Sequence, residues 1–138
     1  MNIIVCVDDK NGMLFNNRRQ SSDVLLREKI FELVGENKLY MNEYSKRQFV
    51  ESNDNIISSN SFLDIAGKND FCFIENSDFN NYMPVIESIL IFRWNRVYPS
   101  DVKFDTELLK DFEYVNKSEF KGFSHDKITL EVYNRDKI

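Results

Sequence analysis

With 138 residues, 42% of them hydrophobic and 30% charged, the chain has enough apolar surface to close one core without disulfides or a structural metal, which argues against a disordered segment and against two domains. A formal net charge of −5 is opposite in sign to the basic excess that duplex nucleic acid demands. No apolar run is long enough to span a membrane, and Met1 passes straight into a strand pattern without a charged leader, so a cytoplasmic protein without a membrane partner is expected.

Ile3 to Val7 form an unbroken apolar run that stops at Asp8-Asp9-Lys10-Asn11-Gly12. This is the pattern of a central strand buried on both faces, whose following loop opens at the carboxyl edge of a sheet, where α/β folds hold their ligands. From Ser22 to Gly35, Leu26, Ile30, Leu33 and Val34 share one face of a helix that Ser21 or Ser22 is placed to cap and Gly35 to end. Lys38–Met41 reads as a second strand, and Asn42 as the cap of a helix running through Phe49 and Val50. Asn55–Ser58 is a short strand, after which Ser61 and Asp64 have capping-box spacing and open a brief helix closed by Gly67. Phe71–Ile74 is another buried strand. A helix from Asp78 to Met83, interrupted at Pro84, precedes the long strand Ile89–Trp94.

The tail changes character. Phe112–Val115 and Ile128–Tyr133 alternate or nearly alternate, with Gly122 and polar residues between them, and predict an antiparallel hairpin. The whole chain, 1–138, therefore reads as a single α/β domain: a mixed, mainly parallel sheet flanked by helices, with a C-terminal antiparallel hairpin.

Taken in this order the chain resembles the dihydrofolate reductase family. Val5 to Met13 is similar to that family's first strand and glycine-containing loop, and Leu39-Tyr40-Met41-Asn42-Glu43-Tyr44-Ser45 to its second strand and the turn into a helix. Tyr82-Met83-Pro84, Ile89-Leu90-Ile91 and Asp101-Val102-Lys103-Phe104 resemble its later helix, central strand and Gly-Asp-Thr-x-Phe element. Phe123 to Asp126 and Glu131 to Arg135 resemble the end of its last hairpin. The resemblance implies a sheet whose carboxyl edge holds pterin and dinucleotide.

It also marks what has changed. Asp23 falls where the family's pterin-binding acid stands, and is the one catalytic candidate, although an Asp in a first helical turn also has a purely structural reading through the helix dipole. Arg18-Arg19-Gln20-Ser21-Ser22 replaces the Trp-x-x-Pro context, and an adjacent arginine would hold Asp23 ionised, against a role as proton donor. Ile74-Glu75-Asn76 stands where consecutive glycines let backbone approach a pyrophosphate. Glu43 replaces the arginine that meets the extra phosphate of NADPH, Leu14 replaces one of the paired loop glycines, and Phe92 replaces the threonine that supports the pterin acid. These changes imply that NADPH-dependent reductase activity has been lost and that no cofactor is held.

Outside the resemblance, Cys6 and Cys72 sit in apolar runs and read as buried side chains. His125 is the single histidine, too few imidazoles for a binuclear zinc site, so no metal and no metallo-hydrolase are expected. Ser124-His125-Asp126 reads as a turn, because three consecutive side chains do not normally aim into one relay. Arg18, Arg19, Asp23, Phe92 and Arg93 are the candidate ligand-binding residues, suited to a small anionic or nucleotide-like ligand, unless acids on this acidic chain pair with the arginines first. The expectation is a small-ligand or protein-binding module more than an enzyme. The alternative is a divergent reductase or an enzyme acting on a nucleotide or pterin-like compound through Asp23 and Arg18 in the old cleft, and a third is a protein partner held through exposed Phe and Tyr side chains.

Overall fold

The structure, a computed structural model, describes residues 1–51 and 53–135. The first strand, β1 (Asn2–Val7), is the middle of everything: its side chains alternate between the two faces of the sheet, and both faces are covered. After it, β2 (Gly12–Phe15) and β3 (Arg18–Arg19) form a small hairpin turned by Asn16 and Asn17, with φ of 50° and 62°. Two successive left-handed residues match the twist of a two-residue hairpin, and asparagine takes that conformation more readily than other side chains. This hairpin, joined later by the short strand Val102–Lys103, makes a three-stranded antiparallel sheet that the hydrophobic pattern does not predict.

The chain then runs through α1 (Val24–Val34), β4 (Leu39–Met41), α2 (Glu43–Lys46), β5 (Ile56–Ser58), α3 (Phe62–Ile65) and β6 (Phe71–Phe73). A 3₁₀ turn at Asn80–Val85 leads to β7 (Ser88–Arg93) and β8 (Val102–Lys103). A second 3₁₀ turn at Thr106–Leu109 precedes the closing hairpin β9 (Phe112–Phe120) and β10 (Ile128–Arg135). The large sheet has the order β5-β4-β6-β1-β7-β10-β9. Its first five strands are parallel, and β10 turns antiparallel against β7. The α/β class, the mainly parallel sheet and the C-terminal hairpin are as expected from the sequence.

Ile3, Val5, Val7, Ile74, Ile89 and Ile91 face one layer, closed by Phe62, Leu63, Phe79 and Phe104. Ile4, Phe73, Leu90 and Phe92 face the other, where α1 lays down Leu26, Ile30 and Val34 beside Phe49. Phe49 stands edge-on to both Phe31 and Phe73, at 5.8 and 5.2 Å between ring centres.

Several local expectations need correction. The cap of α1 is Asp23, which accepts from Leu25 N at 2.9 Å and Leu26 N at 3.3 Å, and not Ser21 or Ser22; Gly35 does end the helix. The helix after Asn42 is one turn, ending at Lys46, although Asn42 caps it as predicted. Ser61 makes no side-chain capping bond. Pro84 lies inside the 3₁₀ turn, where its fixed φ fits, and does not break it. The strand β9 extends five residues beyond Val115 because its pairing with β10, and not its own alternation, carries it; a register shift at Val132/Tyr133 absorbs the misfit.

Candidate functional site

The carboxyl ends of the parallel strands are organised by Asp8, which follows β1 and is fully buried. Its carboxylate accepts from Gly12 N (2.7 Å), Lys10 N (2.9 Å), Tyr98 N (3.1 Å) and Gln20 Nε2 (3.1 Å). Burial alone would raise its pKa, but these donors outweigh it and hold the carboxyl below its ordinary value. One side chain thus gathers three loops. Gly12 is required there, since a Cβ would come within 2.5 Å of Gln20 Nε2 and 2.6 Å of Ser100 Cβ.

Between the ends of β1 and β6 lies an ion pair. Arg19 Nε and Nη2 donate to the two oxygens of Glu75 at 2.8 and 3.1 Å, the guanidinium lies 4.5 Å from the centre of the Tyr44 ring, and Ser45 Oγ donates to Glu75 at 2.8 Å. Only a void of about 10 Å³ remains beside them, enclosed by Cys6, Ser21, Leu26, Gln48 and Trp94 among others. Two buried polar atoms on its wall, Gln20 Oε1 and Gln48 Nε2, have no partner among the described residues.

Outward from this plug runs an open groove of about 550 Å³, with Met13, Leu14, Phe79, Phe104 and Leu108 as its apolar lining. Glu75, Asp78, Asp105 and a single base, Lys103, supply its charges.

A second polar cluster joins the start of α1 to the last hairpin. Asp23, with a fully buried side chain, accepts from Phe123 N (3.0 Å), Ser124 N (2.9 Å), Ser124 Oγ (3.2 Å) and His125 Nδ1 (2.9 Å), besides its two capping bonds. Burial opposes its charge, but the Phe123 N–H, the imidazole and the Ser124 and Leu25 N–H groups together hold the carboxyl well below the usual carboxylate range. The His125 ring stacks on Trp94 at 4.6 Å and 28°, and its Nε2 meets Ser21 Oγ at 3.1 Å and the Tyr98 hydroxyl at 3.0 Å.

No protein-family model and no curated protein matches the sequence. Among solved structures, the chain is similar to dihydrofolate reductase from Enterococcus faecalis complexed with NADP(H) and RAB-propyl, with a TM-score of 0.67 over 99% of this chain and 96% of that one, at 12% sequence identity. The fold is that of dihydrofolate reductase.

Within this reductase-like fold, the residues singled out from the sequence do not converge on one pocket. Arg19 is tied to Glu75. Arg93 donates to Glu131 Oε1 at 2.9 Å and to Asn11 Oδ1 at 3.0 Å. Phe92 is fully buried, edge-on to Phe120, and lies in the core. Arg18 is exposed and has no side-chain hydrogen bond or ion pair among the described residues. Asp23 owes its ionised state to N–H and imidazole donors, not to the arginine expected beside it. Ile74 turns its side chain into the core, while Glu75 and Asn76 line the groove and Glu43 stands exposed at the start of α2.

Burial, and after it Glu75, push the Cys6 thiol well above its ordinary value, and burial pushes Cys72 up to about 12, so neither is poised as a thiolate. Among the described residues no three His, Cys, Asp or Glu side chains gather as a metal site, and no helix is long and apolar enough to cross a membrane. What sequence reasoning misses is the cluster around His125. The hairpin loop packs on the start of α1 across about a hundred residues, and no local pattern announces such a contact.

Proposed function

We propose that this domain uses the reductase-like scaffold to bind a small ligand in the groove at the strand ends and does not carry out NADPH-dependent reduction of folates. The observation that carries this reading is the Arg19–Glu75 pair, which with Tyr44 and Ser45 fills the space between the ends of β1 and β6 down to about 10 Å³. A planar substrate laid there would have to displace a bidentate ion pair and leave a carboxylate with 9% side-chain exposure without its cation. The groove beyond is apolar in its lining and acidic in its charges, with Glu75, Asp78 and Asp105 against Lys103. That balance disfavours a pyrophosphate and suits a neutral or cationic body of modest size.

Titration of the full chain with NADPH, followed by calorimetry and by the change in Tm, tests the reading. No saturable binding below millimolar concentration and no rise in Tm are expected, since a ligand that binds the native state must stabilise it. A Kd in the micromolar range or tighter would overturn the proposal.

A further inference from the structure

Ser21, His125 and Asp23 lie in space in the order of a nucleophile, a base and an acid that orients the base, although they come from opposite ends of the chain. The Asp23 carboxylate can only accept, so the His125 Nδ1 that lies 2.9 Å from its Oδ2 carries a hydrogen. In the neutral ring Nε2 is then an acceptor, and two hydroxyls reach it: Ser21 Oγ at 3.1 Å and Tyr98 at 3.0 Å. The ring cannot swing away, because one face is stacked on Trp94. Asp23 cannot swing either, held by four backbone N–H groups from Leu25, Leu26, Phe123 and Ser124.

A serine hydroxyl is a weak nucleophile until a base within hydrogen-bond reach takes its proton as the new bond forms, and both distances here lie within that reach. Ser21 is half-buried, whereas Asp23 and His125 are almost wholly enclosed. On the solvent side lies an open hollow of about 500 Å³ lined by Phe15, Arg18, Gln20 and Tyr98. The hollow is walled by Tyr98, whose hydroxyl bonds to Nε2, and by Gln20, which precedes Ser21 in the chain, while Ser21 itself borders the void of about 10 Å³ beside the Arg19–Glu75 pair. At its rim the exposed Arg18 offers a cation with no side-chain partner among the described residues.

From this arrangement we infer that Ser21 is a catalytic serine that accepts acyl groups from small activated esters, with His125 as its base and Asp23 as the residue that positions His125. Ser21 Oγ forms a bond to the acyl carbon while its proton passes to His125 Nε2. The bond from the acyl carbon to the leaving oxygen then breaks, and that oxygen takes the proton from Nε2. Water repeats the sequence on the acyl-serine, releasing a carboxylic acid and restoring the hydroxyl. No oxidant or cofactor enters. The inference is independent of the groove and of the ligand bound there.

The test is incubation of the full chain with p-nitrophenyl acetate at neutral pH, following release of the phenolate together with the intact mass and the peptide that carries the label. One acetyl group per chain on Ser21 is expected, formed faster than in buffer. The rate is expected to fall about a hundredfold in His125→Gln, to vanish at this site in Ser21→Ala, and to be unchanged in Ser22→Ala. In Asp23→Asn the side-chain amide would donate to Nδ1 and move the imidazole hydrogen to Nε2, so the rate should fall and its pH profile change at temperatures where the variant is folded. An unlabelled Ser21, a label on lysine or on His125 itself, or an undiminished rate in Ser21→Ala overturns the inference. The label's position in the wild-type chain decides the matter even where a variant fails to fold.

Discussion

The bonds to Asp23 make Asp23→Asn the most informative single change for stability. The carboxylate accepts six hydrogen bonds, three on each oxygen. An amide of the same shape keeps only one acceptor, so in either orientation its NH₂ faces N–H groups that also donate. With Oδ1 kept, the Ser124 N–H is stranded; with the amide reversed, the Leu25, Leu26 and Phe123 N–H groups are. Each buried donor left unpaired costs about 1–3 kcal/mol, and loss of the charge weakens the bonds that survive, so a total of about 2–4 kcal/mol is expected. For a chain of 138 residues, one kcal/mol corresponds to roughly 3–4 °C in Tm, which puts the fall at about 6–16 °C. Thermal unfolding followed by circular dichroism at pH 7 measures it. The pH dependence carries a second check. The folded carboxyl titrates well below its unfolded value, so its contribution is complete above about pH 4 and drains away as pH falls toward the lowered folded value. The gap between wild type and variant should therefore narrow on acidification below pH 4. A Tm within about 2 °C of wild type at pH 7, or a gap that widens in acid, would refute the reasoning.

Gly122→Ala attacks the same junction from the other side, because its Cβ would come within 2.7 Å of Asp23 Oδ2 and 3.0 Å of the His125 carbonyl oxygen. A loss of about 1–3 kcal/mol in urea unfolding is expected, and a neutral result would mean that the loop yields without disturbing the carboxylate. Arg19→Met leaves Glu75 with Ser45 as its remaining hydrogen-bond partner; the variant should lose about 1–3 kcal/mol, and Arg19→Met combined with Glu75→Met should regain most of it. Additive losses in that double-mutant cycle would show that the pair is not coupled.

The parallel part of the sheet is legible in the sequence because most of its strands are short, apolar and separated by turn formers, and a strand buried on both faces needs no partner to be recognised. Ile3 to Val7 and Ile89 to Phe92 are cases where local composition and global position agree. The small sheet was not legible, since β3 is two arginines and β8 a Val-Lys pair, and neither carries a period. The wide-apart partners of Arg19, Arg93 and Asp23 were hidden for a related reason. A charged side chain advertises what it can bind but not which distant carboxylate or N–H the fold will bring to it. Asp23 was picked out, yet its imidazole partner arrives from a loop whose own residues read only as a turn.

The central position of β1 bears on how the chain is made. β1 leaves the ribosome before β6 and β7, the two strands that flank it in the finished sheet, so Ile3, Ile4 and Val5 lack those partners until Phe71 and then Ile89 have been synthesised. Through that interval an aliphatic segment with unpaired backbone on both sides travels on the nascent polypeptide, a natural target for a chaperone and a seed for self-association if translation stalls. Slowing elongation just upstream of Phe71 should therefore lower the soluble yield more than an equal pause after Arg93.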